Sequence, residues 1–203
     1  MRALLLIDIQ NDFLPGGRLA VSAGDEIIPL VNALQPQFDL VVATQDWHPA
    51  GHQSFASSHP GRAQFEQLDL HGLPQVLWPD HCTQGGDGAA LAPALRTERI
   101  EAIFRKGMNP EIDSYSAFFD NGHRKSTGLA DYLHGRGVTE VFVAGLAADY
   151  CVYYSALDAL AAGFATTVVT DATRAISAAG WGAAQAELRA KGGRLATSAE
   201  LTA

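Results

Sequence analysis

The chain is poor in the features that would send it outside the cell, into a membrane or onto a nucleic acid. It has 2 cysteines in 203 residues, too few for the disulfide framework of a small secreted domain. No segment approaches the roughly 20 consecutive apolar residues that a membrane-spanning helix needs. Basic residues number 14 against 22 acidic ones, a formal net charge of −8, so there is no electrostatic footprint for nucleic acid or an anionic membrane. The first residues, Met1 to Asp8, carry one basic residue and a short apolar run cut off by an aspartate. That pattern is too short for a signal peptide, and a cytoplasmic protein with free thiols at Cys82 and Cys151 is expected. There is no Gly-x-Gly-x-x-Gly after the first apolar run and no Gly-x-x-x-x-Gly-Lys-Ser/Thr, which leaves dinucleotide and nucleotide binding without support.

What is present is a globular composition, 47% hydrophobic and 18% charged, in a length suited to one α/β domain spanning 1–203. Short apolar runs at 3–8, 39–45, 100–105, 138–144, 166–170 and 194–197 read as six strands. Most are continuously apolar, as parallel strands covered on both faces are. Helical periodicity lies between them at 24–35, at 126–136 with Ser126 as a candidate N-cap, at 149–162, and at 180–191 before Gly192-Gly193. The alternation predicts an open, doubly wound parallel sheet with helices on both faces. Residues 46–98 hold several histidines and prolines with little periodicity; an irregular stretch of that length is more often functional than a connector.

Chemistry gathers where the apolar runs end. Asp8, Asp46, Lys106 and the turn before Cys151 all fall at predicted strand ends, and ligands of open α/β sheets bind along that rim. Cys151 follows a strand and a glycine-containing turn at the start of a helix, where unpaired N–H groups favour a thiolate or a developing oxyanion. Any one of these residues alone would be an ordinary cap, core thiol or solvated lysine. Together they describe an activated nucleophile: a thiol, a carboxylate to take its proton, and a cation to hold the charges. Asp46 and His48 stand at i and i+2, on one side of an extended chain, with His52 and His81 following. An aspartate with two histidines suits one divalent metal ion, zinc, iron(II) or manganese. His59, His71, His123 and His134 sit among polar residues and read as surface groups. Phe13, Trp47, Trp78 and Tyr115 offer walls for a flat aromatic ligand.

The motifs that carry these residues are Asp8-Ile-Gln-Asn-Asp-Phe13, Gln45-Asp-Trp-His-Pro-Ala-Gly-His52, Trp78-Pro-Asp-His-Cys82, Lys106-Gly107, Asp113-Ser-Tyr-Ser-Ala-Phe118 and Gly145-Leu-Ala-Ala-Asp-Tyr-Cys-Val152. In kind, order and spacing they resemble the bacterial nicotinamidases (pyrazinamidases) of the isochorismatase-like hydrolases, from Met1 to about Asp171. The resemblance implies a six-stranded parallel sheet and hydrolysis of nicotinamide to nicotinate and ammonia, in NAD salvage. It implies a triad of Asp8, Lys106 and Cys151 and a metal held by Asp46, His48 and His81, zinc before iron or manganese. It implies further a cis peptide at Leu146–Ala147, an oxyanion hole from the N–H groups of Ala147 and Cys151, and a substrate flanked by Phe13, Trp78, Tyr115 and Leu146. His52 is expected near the metal without being a required ligand. The sequence departs from the family at Ala148, where threonine is common, and over 172–181. An isochorismatase or carbamoyl-amidase would not require the metal set, and a silent binding protein would be expected to lack a triad member. The implied partner is a small molecule; a homo-oligomer is left open.

Overall fold

A computed structural model describes residues 1–201. Six parallel strands form the central sheet: β1 (Arg2–Ile7), β2 (Leu40–Asp46), β5 (Ile100–Lys106), β6 (Glu140–Leu146), β7 (Ala165–Arg174) and β8 (Arg194–Ala196). Their order is β5-β2-β1-β6-β7-β8. The chain thus steps outward in one direction from β1 and in the other from β6, which puts the switch point between these two central strands. All six predicted strands are present, with ends shifted by up to four residues.

β1 shows why the sheet is covered twice. Leu4 and Leu6 enter one core with Ile27, Ile28, Val31 and Leu34 of α1 (Ile27–Leu34). Ala3, Leu5 and Ile7 enter the opposite core, which is built from the other face. There they meet Leu129 and Leu133 of α2 (Leu129–Gly135), Ala156 and Ala159 of α3 (Tyr153–Ala161), and Leu188 of α4 (Ala178–Ala190). Side chains that alternate between two apolar layers require a continuously apolar strand. β5, at the sheet edge, instead alternates half-buried and exposed residues up to buried Lys106.

Two sequence expectations need correction. Ser126 does not cap α2, which starts at Leu129; its Oγ accepts the N–H of Gly128 at 3.0 Å, inside the preceding turn. The 46–98 stretch is not wholly irregular either. It contains an antiparallel hairpin, β3 (Gln67–Leu70) and β4 (Leu73–Val76), turned by His71 and Gly72, both with positive φ. No helix among the described residues is long and apolar enough to cross a membrane.

Candidate active site

Parallel register brings the strand-end groups together. Asp46 and Lys106 are direct partners across β2 and β5, so their side chains leave the sheet on one face. Ile7 pairs with Gly145 at the switch point. A Cβ on Gly145 would overlap the carbonyl oxygen of Ile7, and its φ of +124° is one that only glycine adopts readily. That close approach carries Asp8, just past β1, and the turn after β6 to the same rim.

Lys106, 2% exposed, is the hub. Its Nζ donates to Asp46 Oδ1 at 2.7 Å, to the carbonyl of Ser114 at 2.9 Å and to Cys151 Sγ at 3.4 Å. These use the three protons of an ammonium. Asp8 Oδ2 also lies 2.9 Å from Nζ, as an ion pair, so four acceptors compete for those protons. The other oxygen, Oδ1, is occupied, because the Thr44 hydroxyl donates to it at 2.6 Å. Carboxylate oxygens of Asp8 and Asp46 lie with Cys151 Sγ in a group whose members are within 4.8 Å of one another.

Burial and charge divide the protons among these groups. Burial works against the ammonium of Lys106, yet the carboxylates of Asp46 and Asp8 hold its pKa well above the usual value. Burial pushes the Cys151 thiol well up, against the pull of Lys106. Burial likewise raises Asp8, aided by Asp46 and opposed by Lys106. Asp46 is the exception: burial is overcome by Lys106 and His48, and its carboxyl is held well below the usual range. The resting arrangement is a cation, a thiol, and a carboxylate of raised basicity beside it.

Cys151 lies in a π-helical turn, Ala148–Val152, immediately before α3, where the sequence suggested the first turn of an ordinary helix. Such wide turns are frequent at functional sites. The Leu146–Ala147 peptide is cis, and the N–H groups of Tyr150 and Val152 both donate to the carbonyl of Ala147 at 3.1 Å.

The second carboxylate oxygen of Asp46 faces two imidazoles, His48 Nε2 at 3.4 Å and His81 Nε2 at 3.6 Å. His48 Nδ1 is 2.9 Å from the carbonyl of Gly107, and His81 Nδ1 is 2.8 Å from that of Pro79. A carbonyl only accepts, so each Nδ1 carries a proton, and in the neutral ring that leaves the lone pair on Nε2. His48 Nε2 is buried and has no hydrogen-bond partner. Two oriented imidazole nitrogens and a carboxylate, gathered within 4.8 Å, fit a divalent cation. His52 is oriented the other way. Its Nδ1 accepts the N–H of Ser54 at 3.0 Å, with the Ser54 hydroxyl at 2.8 Å, so a neutral ring carries its proton on Nε2. Burial and the neighbouring His48 depress its pKa to about 4. The His52 ring packs 4.5 Å from that of His48 but stands outside the three-residue ligand group.

A cleft runs over Cys151 and the Asp46–His81 edge. Phe13, Trp78 and Tyr115 line it, as do Ala147, Asp113, Tyr150 and Ile176. Trp78 meets Tyr150 edge-on at 4.8 Å and Tyr115 at 6.2 Å. Leu146 is a correction: its side chain is fully buried in the core, not in the cleft wall, because β6 points it into the layer shared with α1. Tyr150, Ile176 and Asp113 were not singled out. Tyr150 and Asp113 lie inside recognisable motifs, but Ile176 comes from the stretch that departs from the family and carried no signal. Of the four surface histidines, His71, His123 and His134 are exposed, and His59 is half-buried.

The isochorismatase domain family matches residues 2–200 of the chain. The chain belongs to that family. Among curated relatives, the nicotinamidase of Escherichia coli K12 is 48% identical over 205 residues, covering 98% of this chain and 96% of that protein. Among solved structures, a nicotinamidase/pyrazinamidase from Acinetobacter baumannii superposes with a TM-score of 0.97 at 45% identity, covering 98% and 97% of the two chains. The Pyrococcus horikoshii pyrazinamidase, solved in complex with zinc, has a TM-score of 0.80 at 36% identity over 97% and 98%. The isochorismatase fold thus extends through the 172–181 stretch that looked atypical. Ala148, where the family commonly has threonine, is fully buried.

Proposed function

We propose that this protein is a nicotinamidase that hydrolyses nicotinamide, and also pyrazinamide, to the carboxylate and ammonia through a Cys151 thioester, in NAD salvage. The observation that carries this reading is the buried Asp8 carboxylate gathered with the Cys151 sulfur within 4.8 Å, its basicity raised by burial, beside a thiol whose proton must leave before it can attack. Asp8 takes the Cys151 proton, and the sulfur attacks the carboxamide carbon. The N–H groups of Ala147 and Cys151 receive the oxyanion, a contribution of about 2.7–4 kcal/mol per donor in sites of this kind. Asp8 returns the proton to the leaving nitrogen, ammonia departs and the thioester remains. Asp8 then accepts a proton from a water molecule as the water oxygen attacks the acyl carbon. Collapse of that adduct releases the acid and restores the thiol. Lys106 holds the charges of Asp8 and the sulfur in place throughout.

The pyridine ring lies against Phe13, Trp78 and Tyr115, with its carboxamide toward Cys151. Asp46, His48 and His81 would hold one divalent metal ion, zinc before iron or manganese, which when bound supplies a Lewis acid that orients the ring nitrogen. Two free cysteines accord with a reducing, cytoplasmic setting. The deciding assay measures ammonia and nicotinate released from nicotinamide, with metal content determined on the same preparation. Equimolar products and about one metal per chain are expected; no ammonia from nicotinamide would overturn the reading.

A further inference from the structure

We infer that Ile176 limits the ring substituents the cleft admits, and that Asp149 is the positioning residue that holds Ile176 there by tying its segment to the nucleophile turn. Ile176 is the cleft-lining residue contributed by the segment ahead of α4. It is 38% exposed, so it stands at the mouth of the cleft. A β-branched side chain has few rotamers and makes a stiff edge.

What fixes it is a carboxylate two residues before the thiol. Asp149 Oδ1 accepts the N–H of Ile176 at 2.9 Å, and Oδ2 accepts the N–H of Ser177 at 2.8 Å. Ser177 in turn caps α4, its Oγ accepting the N–H of Gly180 at 3.2 Å. A Cβ added to Gly180 would come within 3.3 Å of Asp149 Oδ2, so the first turn of α4 packs directly on this carboxylate. Asp149 is 9% exposed, and charge-assisted bonds to backbone at such a site are about twice as strong as neutral ones. The turn that carries Cys151 and the segment that carries Ile176 are therefore joined at one side chain. The distance from nucleophile to wall is set locally, without passing through the sheet.

The inference rests on the cleft being the nicotinamide site, and the probes are nicotinamide, 5-methylnicotinamide and 6-methylnicotinamide. For each, kcat/KM is measured on the metal-loaded protein. Ile176→Ala should raise the ratio of at least one methylated substrate to nicotinamide by about tenfold, the size of effect one methyl group has in an apolar pocket. Ile176→Trp should lower it by a similar factor. Asp149→Asn keeps one acceptor oxygen and loses the other, so it should shift the same ratio in the direction of Ile176→Ala, by a smaller factor. Ratios unchanged in both Ile176 variants overturn the wall. An Asp149→Asn protein that is slower on all three substrates at a constant ratio has lost only structure, and overturns the positioning role. If the wild type releases no ammonia from nicotinamide, the functional reading fails and this inference with it.

Discussion

Asp46 faces Lys106 across the β2–β5 ladder, and its two oxygens serve two different groups. Oδ1 accepts from Lys106 Nζ at 2.7 Å, while Oδ2 faces His48 and His81 at 3.4 and 3.6 Å. One carboxylate therefore joins the proposed metal set to the lysine that contacts the thiol. Its low pKa keeps it charged for both tasks, the lysine and histidine outweighing burial.

Removing that lysine is expected to damage more than rate. Lys106→Ala leaves Asp8 and Asp46 buried side by side without their shared cation, a change that typically costs about 3–5 kcal/mol of stability. The variant should melt well below the wild type and lose most activity. Lys106→Arg should not restore activity, because a planar guanidinium cannot reproduce three converging contacts from one nitrogen. A Lys106→Ala protein of unchanged melting temperature would show that the ion pairs contribute little.

Asp8 and Cys151 are expected to fail together. Cys151→Ala removes the nucleophile and should abolish turnover while substrate still binds. Asp8→Asn can still accept from the Thr44 hydroxyl, but an amide cannot take the thiol proton, and a drop of about 10²–10⁴-fold in kcat is expected. Mass spectrometry of the wild type under single turnover should find a nicotinoyl adduct on Cys151. An adduct on Cys82 instead would exclude the mechanism as drawn.

The two thiols should also separate in alkylation. Cys82 is fully buried, its N–H bonded to Asp12 Oδ2 at 2.7 Å, and burial pushes its thiol well above the usual range. Cys151 is raised too, but it opens on the cleft and has Lys106 beside it. Iodoacetamide should modify the folded protein at Cys151 and leave Cys151→Ala unlabelled. Equal labelling of both would mean that access to the cleft does not control reactivity.

Strand ends were legible because apolar runs that stop at Asp8, Asp46 and Lys106 have a single parallel-sheet solution, and that solution collects the three side chains on one rim. The hairpin at 67–76 was not legible: four-residue strands with alternate exposure look like loop. The direction of Leu146 was missed because a motif identifies a residue and not the face its strand turns inward. Ile176 left no trace, since its place depends on hydrogen bonds to Asp149 from 27 residues away. Long-range backbone contacts of that kind have no local pattern.

The orientation of His52 leads to the last expectation. A histidine that binds a metal through Nε2 usually donates its Nδ1 proton to a carbonyl or carboxylate, as His48 and His81 are placed to do with Gly107 and Pro79. At His52 the backbone N–H of Ser54 already points at Nδ1. Ligation through Nε2 would then require either a doubly deprotonated ring or the loss of that bond, with an N–H left buried and unpaired at a cost of about 1–3 kcal/mol. We therefore expect His52 to support the ring of His48 by packing, 4.5 Å away, and not to bind the metal. His48→Ala and His81→Ala should lose bound metal and activity together. His52→Ala should keep its metal stoichiometry, with affinity reduced by no more than the 10–100-fold typical of supporting residues. Elemental analysis that finds His52→Ala as empty as His48→Ala would make the site a four-residue one and require the 52–54 turn to rearrange when metal binds.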